Sequence, residues 1–267
     1  EIYTLSLHDA LPICSGSGYA GALGIGGFGG DGGRGDNVAL TINGDVLASG
    51  LESDEWVTDE EEGLTRRVRS GGSSGVLAQS IGGGGGNGGM NVSGGIAIAP
   101  PGASGGSNAL TLGIGGFGGA GGDAGMTVLE LAAEGGGTAR VTAIGDGQYG
   151  VAAQSIGGGG GNGGINVSGG ISMGGQITLG LGGFGSGGGR GEAVRANVDA
   201  DIRVSGADAV GFLAESIGGG GGNGGINISG GIQASANSSQ PRLVFGLGGF
   251  AGSGNTSGNV EAAQNGY

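Results

Sequence analysis

The sequence predicts an all-β fold, a parallel β-helix or β-solenoid built from glycine-rich repeats. Three observations predict it. One stretch occurs three times: residues 75–96 read GVLAQSIGGGGGNGGMNVSGGI, 150–171 read GVAAQSIGGGGGNGGINVSGGI and 211–232 read GFLAESIGGGGGNGGINISGGI. A second occurs four times, as LGIGGFGG at 23–30 and again at 112–119, LGLGGFGS at 179–186 and FGLGGFAG at 245–252. Between these signatures apolar residues alternate with period two, the mark of strands, and no stretch follows the 3.6-residue helical period. A short unit of this kind cannot bury its own apolar face, so repeats of it stack.

The first thirteen residues, EIYTLSLHDALPI, share nothing with the repeats. They resemble the in-frame translation of a common sequencing-adapter oligonucleotide and are set aside as a non-native segment. His8, the only histidine, falls inside that segment, and Cys14, the only cysteine, stands at its junction. The repeat region, 14–267, is expected to be a piece of a longer chain, because both of its ends fall within a repeat.

Within that region the Phe of the second signature recurs as Phe28, Phe117, Phe184 and Phe250, at steps of 89, 67 and 66 residues. Ahead of each Phe lies an alternating column: Gly21, Leu23 and Ile25; Leu110, Leu112 and Ile114; Ile177, Leu179 and Leu181; Leu243, Phe245 and Leu247. Val38, Leu40 and Ile42 alternate likewise. So do Val194, Ala196, Val198, Ala200, Ile202 and Val204, with Arg, Asn and Asp between them. The expected architecture is three coils of roughly twenty residues per unit, sharing a dry aliphatic seam that includes Leu112, Leu179 and Val198. For the five-glycine runs two packings are open. One is a mobile loop; the other is extended polyproline-II-like chains where only glycine fits. The entropy cost of ordering glycine favours the loop.

Residues 51–70 break the pattern. They contain the only Trp, Trp56, an acidic cluster at 59–62, and Arg66, Arg67 and Arg69. This charged insertion is read as a hairpin turning at Gly63 with opposite charges facing. A solvated loop is the plain alternative. Insertions on one side of stacked repeats also build binding surfaces, so Trp56, Arg66 and Arg67 are the contact candidates.

Composition excludes several classes. Eighty of 267 residues are Gly but only four are Pro, and the glycines come in clumps, which rules out collagen. The net charge of −13 comes from 22 acidic residues against nine arginines, which leaves no basic nucleic-acid footprint. Matches to GxSxG at 170–174 and 71–75 lack a histidine base in the repeat region, so no catalytic residue is assigned. Asp31 and Asp123 end partial matches to the Ca²⁺ nonapeptide GGxGxD, but the following aliphatic is missing and the copies are not tandem. They stand as weak metal candidates, and no cofactor is expected. Arg34-Gly35-Asp36 matches a cell-attachment tripeptide and reads as a turn. Asn91, Asn166 and Asn227 each open an N-glycosylation pattern. Gln79, Gln154 and Glu215 hold one outward polar strand position.

The AQSIGGGGGNGG and LGxGGFGG signatures resemble the passenger regions of large bacterial autotransporters. That resemblance covers roughly residues 15–267. It implies a β-helical passenger exported through the outer membrane by a C-terminal barrel, a cell-surface location, and an adhesive role toward a host or cell-surface ligand. The scarcity of cysteine suits such export. The resulting expectation is a non-enzymatic surface stalk. A Ca²⁺- or ice-binding repeat module, and a fragment of an enzyme-bearing passenger, are the alternatives.

Overall fold

The computed structural model describes residues 19–49, 53–58, 65–70, 72–98, 107–234 and 240–266. The adapter-like segment and Cys14 lie outside them. The described chain is all β, with no helix among the described residues. The first repeat supplies β1 (Tyr19–Ile25), β2 (Val38–Asn43), β3 (Val46–Ser49), β4 (Ser53–Thr58), β5 (Thr65–Ser70), β6 (Val76–Ile81) and β7 (Asn91–Ala97). The second supplies β8 (Asn108–Ile114), β9 (Thr127–Ala132), β10 (Ala139–Ile144), β11 (Tyr149–Ile156) and β12 (Asn166–Ser172). The third supplies β13 (Gln176–Leu181), β14 (Val194–Ser205), β15 (Val210–Ile217), β16 (Asn227–Ser229) and β17 (Ile232–Gln233). A fourth opens with β18 (Arg242–Leu247) and β19 (Val260–Asn265).

Apart from the antiparallel pair β4–β5, the strands pair in parallel with their equivalents one repeat away. The first sheet runs β1-β8-β13-β18. The second runs β2-β9-β14-β10-β3, with β19 also on β14. The third runs β15-β11-β6, and the fourth joins β7, β16 and β17 to β12. Register is residue for residue, as in Leu23↔Leu112 and Gln154↔Glu215. The expectation of three twenty-residue coils per unit is therefore corrected, because every such pairing spans a whole repeat. The second sheet curls: Val194–Val198 pair with β9 and Ala200–Ser205 with β10.

The glycine runs are not loose loops, which corrects the favoured sequence reading. None of the glycines in 82–89, 157–164 or 218–225 has positive φ. Hydrogen bonds recur every third residue. Gly26, Gly29, Gly32 and Gly35 donate N–H to the carbonyls of Ile114, Phe117, Ala120 and Asp123. In the same way Gly82, Gly85 and Gly88 donate to Ile156, Gly159 and Asn162. A polyproline II chain has three residues per turn and no internal hydrogen bonds, so its donors are free to satisfy neighbours at this spacing. The segments form two layers. One holds the GGFGG stretches and the other the GGGGGNGG stretches, running in opposite directions. Gly83, Gly86 and Gly89 donate to Gly33, Gly30 and Gly27, while Gly122, Gly119 and Gly116 donate to Gly83, Gly86 and Gly89. Two of every three residues thus donate to a neighbouring chain. This recovers the backbone bonding that a loop would give to water, and it offsets the ordering cost of glycine.

The layers touch backbone to backbone. A Cβ at Gly85 would stand 2.0 Å from the Gly119 carbonyl oxygen and one at Gly160 2.0 Å from that of Ser186; within a layer, one at Gly161 would stand 1.9 Å from the Gly86 carbonyl oxygen of the neighbouring repeat. Ser186 is accommodated at one such inward position, its N–H bonded to the Gly161 carbonyl at 3.0 Å. Outward positions carry the side chains: Phe28, Phe117 and Phe184 in one layer, Asn87 and Asn162 in the other.

Either side of this glycine slab the interior differs. Toward the second and third sheets it opens into an aliphatic core of Val76, Leu129, Leu131, Val141, Val151, Val194 and Val198 with small alanines. Toward the first and fourth sheets it stays narrow. Ala20, Ala97 and Ala109 pack there with buried Thr111, Asn166, Ser168, Gln176 and Thr178. Asn91 Nδ2 donates to Asn166 Oδ1 at 2.6 Å, and Asn166 Nδ2 to Asn227 Oδ1 at 2.7 Å. The N-glycosylation reading of Asn91 and Asn166 is corrected accordingly: both are buried in an asparagine ladder. The aliphatic seam is corrected in part. Val198 is fully buried, but Leu112 and Leu179 face outwards and are half-buried, and Leu23 is 61% exposed in the same row.

Gly161→Ala should lower unfolding free energy by about 1–3 kcal/mol through overpacking. Gly159→Ala faces outwards, with the Gly220 carbonyl oxygen 3.9 Å from the added Cβ, and should be neutral or stabilise by up to about 1 kcal/mol. Denaturant midpoints of the two variants check the ordering. Asn166→Ala, which leaves the buried Asn91 Nδ2 without its acceptor and removes a donor from Asn227 Oδ1, should cost about 1–3 kcal/mol by the same measurement.

Candidate interaction surfaces

Rows of exposed apolar side chains lie on the outside of the first and fourth sheets. On the first, the rows Leu23, Leu112, Leu179, Phe245 and Ile25, Ile114, Leu181, Leu247 run across the strands. On the fourth, Val92, Val167, Ile228 and Ile96, Ile171, Ile232 do the same. Between those two rows, glycines 94, 169 and 230 leave a shallow apolar groove of about 370 Å³. The inward positions of the narrow interior are held mostly by small residues, Gln176 being the large exception, and the large aliphatic members of each alternating strand are left on the surface. Contiguous exposed apolar rows of this kind mark interaction surfaces in soluble proteins.

Continuing along the first layer, the phenylalanines stack outside the slab. Ring centroids are 4.9 Å apart for Phe28–Phe117, 5.0 Å for Phe117–Phe184 and 5.4 Å for Phe184–Phe250, with planes within 17° of parallel. Three residues further along is Asp31, whose Oδ1 accepts the Ala120 N–H at 2.7 Å. Three more bring a charged row. Arg34 Nη2 donates to Asp123 Oδ2 at 3.0 Å, and Asp123 Oδ1 accepts the Arg190 N–H at 2.8 Å. The Arg190 N–H holds the Asp123 carboxyl below its ordinary value of 3.8. Partial burial works against this, and the Arg34 guanidinium adds to the lowering. Asp31 and Asp123 are thus engaged separately, in different rows. Among the described residues no three His, Cys, Asp or Glu converge as a metal set. Arg34 of the attachment-like tripeptide is the partner of Asp123.

The insertion forms the antiparallel pair β4–β5. Its backbone register sets Asp54 opposite Arg69, Trp56 opposite Arg67 and Val57 opposite Arg66. The side chains of Trp56, Arg66 and Arg67, and the turn at Gly63, lie outside the described residues. Of the serine-centred matches, Ser172 is fully buried, with its hydroxyl donated to the Gly174 carbonyl. Gln79, Gln154 and Glu215 form a ladder, Gln79 Nε2 donating to Gln154 and Gln154 Nε2 to Glu215. Sequence reading missed the outward aliphatic rows. Their signal was present in the residues between: Ala109, Thr111 and Gly113 on one strand, Asn91 and Ser93 on another, all too small to fill a wide core.

A carboxyl held lower in the folded chain than in the unfolded one adds stability above the unfolded value and loses it as pH falls through the folded one. The Tm gap between the protein and Asp123→Asn should therefore be widest above pH 3.8 and close as the solution is acidified below it. A gap that widened in acid would contradict the assignment. No protein-family model, curated protein or solved structure matches this chain.

Proposed function

We propose that the chain is a section of a β-solenoid stalk, the passenger of a bacterial autotransporter, which holds adhesive surfaces away from the cell. The observation that carries this reading is the in-register stacking of repeat on repeat, with the side-chain rows left facing outwards. A stack whose interior is backbone and small residues offers rigidity in place of a reaction centre. Its outer rows repeat the same contact about every 5 Å, as the phenylalanine spacing shows. Multiplied weak contacts of this kind suit adhesion, where avidity outweighs the strength of any single site. The antiparallel pair β4–β5 of the insertion would add a further contact element. The acidic surface keeps such stacks soluble and mutually repelling.

Two measurements test the reading. Inserting one further 61-residue repeat should lengthen the particle by about one strand spacing, near 5 Å, at constant cross-section in small-angle scattering. Lengthening by three spacings, or a widened section, would remove the stalk geometry. Joined to an outer-membrane barrel, the chain should become accessible to added protease on intact cells, and retention inside the envelope would remove the surface role.

A further inference from the structure

One long side of the stack carries no charge. It is the side on which the third sheet runs through the second glycine layer into the fourth sheet. Residues 81–96 read IGGGGGNGGMNVSGGI, 156–171 IGGGGGNGGINVSGGI and 217–232 IGGGGGNGGINISGGI, without one acidic or basic residue, in a chain whose net charge is −13. In the second repeat the outward positions are Ile156, Gly159, Asn162 and Ile165, then Val167 and Ile171 on either side of the groove at Gly169. Each belongs to a row of equivalents from the repeats above and below. The exposure is lateral: with a repeat stacked on both sides of them, Ile165 and Ile171 are still each 40% exposed. The pattern is close to symmetric about the asparagine row. Three residues, about 9 Å of polyproline II chain, separate Asn162 from the bare glycine strip on one side and from the Ile165 row on the other. Two such sides can face each other in two ways. With the stacks parallel, the facing chains run in opposite directions across the side. The Ile165 row of each then lies over the Gly159 strip of the other, and the asparagine rows meet at the centre. With the stacks antiparallel each row meets its own kind, bare strip on bare strip and ridge on ridge.

We infer that this side is a self-association surface, on which a second copy of the chain lies parallel to the first about a two-fold axis running along the asparagine rows. Four observations select a second copy as the occupant. Another stack of the same repeats has rows at the same spacing of about 5 Å, so its contacts stay in step from repeat to repeat. Two copies of an acidic chain approach most closely where neither presents a charge. The area suffices: residues 81–96 extend about 50 Å across and three repeats about 15 Å along the stack, roughly 700 Å² on each copy and 1,400 Å² in all. Stable interfaces bury about 1,200–2,000 Å². At the centre the amides are self-complementary. Asn162 Nδ2 spends one of its two hydrogens on Asn87 Oδ1 at 3.0 Å, which leaves the other for an amide oxygen across the axis. The pairing goes beyond the stalk reading: it needs the stacked repeats, but neither export nor a host ligand.

The experiment follows the full chain by sedimentation velocity in a concentration series up to about 50 μM, where a reversible shift from the mass of one chain to that of two is expected. The contact holds no charge and the copies repel elsewhere, so the dimer fraction should rise between about 20 and 300 mM salt. Gly159→Glu sets a carboxylate on the bare strip, its Cβ 3.9 Å from the Gly220 carbonyl oxygen. It should weaken dimerisation at least about tenfold with Tm nearly unchanged. Gly187→Glu lies outside the first layer, its Cβ 3.4 Å from the Ser253 carbonyl oxygen, and should dimerise as the parent does. In a Cys14→Ser background, chains carrying Gly159→Cys mixed with chains carrying Ile165→Cys should join by a mixed disulfide in preference to either like pair. A monomer at every concentration overturns the inference, as does association that survives Gly159→Glu or is dissolved by salt. Gly159→Cys chains that crosslink to one another in preference overturn the parallel arrangement. None of these results touches the stalk geometry, which the scattering measurement tests by itself.

Discussion

Contact between bare backbones is the constraint from which the rest of this structure follows. Where the two glycine layers meet, the hydrogen-bond spacing brings carbonyl oxygens to within about 2 Å of where a Cβ would sit, so the layer separation is set by main chain alone. The first sheet continues directly into one layer at Ile25, Ile114 and Leu181, and the third into the other at Ile81, Ile156 and Ile217. Strands next to the slab inherit its separation. On the side of the first and fourth sheets nothing forces them apart. The gap is filled by alanine, serine, threonine and the asparagine ladder, and glycines face these side chains: a Cβ at Gly113 would meet Ser168 Oγ at 2.1 Å. On the other side the second sheet curls outwards and makes room for leucine and valine.

That division explains an arrangement that looks inverted. Period-two alternation tells which residues share a face, but not which face is inside. In a wide core the aliphatic face goes inwards, as Val194, Val198, Leu129 and Leu131 do. In a narrow one volume decides. Leu112 and Leu179 face outwards where the sheets are held close by the glycine slab, and Thr111 and Thr178 turn inwards in their place. The hydrophobic gain forgone is offset by hydrogen bonds the interior residues make with one another and with backbone, such as Thr111 Oγ1 to the Gly169 carbonyl at 3.1 Å and Gln176 Nε2 to the Gly170 carbonyl at 2.7 Å.

The strands, the parallel pairing of repeats and the charged hairpin were legible in the sequence, because each rests on a local signal: alternation, self-similarity, and a break in both. The length of a circuit was not. Repeat period fixes only the distance between equivalent residues; whether one circuit or three fit inside it depends on which strands pair, and Val194–Val204 reads the same in either case. The glycine runs misled for a different reason. A balance of entropy against buried apolar area leaves out backbone hydrogen bonds between neighbouring chains, which here are the main favourable contribution. The third-residue spacing of Phe28, Asp31 and Arg34, with Gly26, Gly29, Gly32 and Gly35 offset from it, was the available sign of a three-residue turn. Asp31 and Asp123 were singled out from a motif whose geometry needs adjacent turns, and the stacking places them in different rows.

Stacking in register also dictates which residues can repeat. Every side chain meets its own counterpart about 5 Å above and below, so a row of identical residues is favourable only when like attracts like. Phenylalanine stacks, and asparagine and glutamine each donate and accept, so those rows run through the repeats as Phe28–Phe117–Phe184–Phe250 and Asn91–Asn166–Asn227. A row of one charge would repel itself at the same spacing. The charged rows accordingly alternate: Arg34, Asp123 and Arg190 in the first layer, Arg140 beside Asp201, and Arg195 against Glu261 at 3.2 Å. The change from Gln79 and Gln154 to Glu215 fits the same rule, since a single carboxylate can accept from a glutamine amide but a column of carboxylates could not. The stacked phenylalanine and asparagine rows keep their identity from repeat to repeat because identity is what binds them, and the charged rows vary because identity would drive them apart.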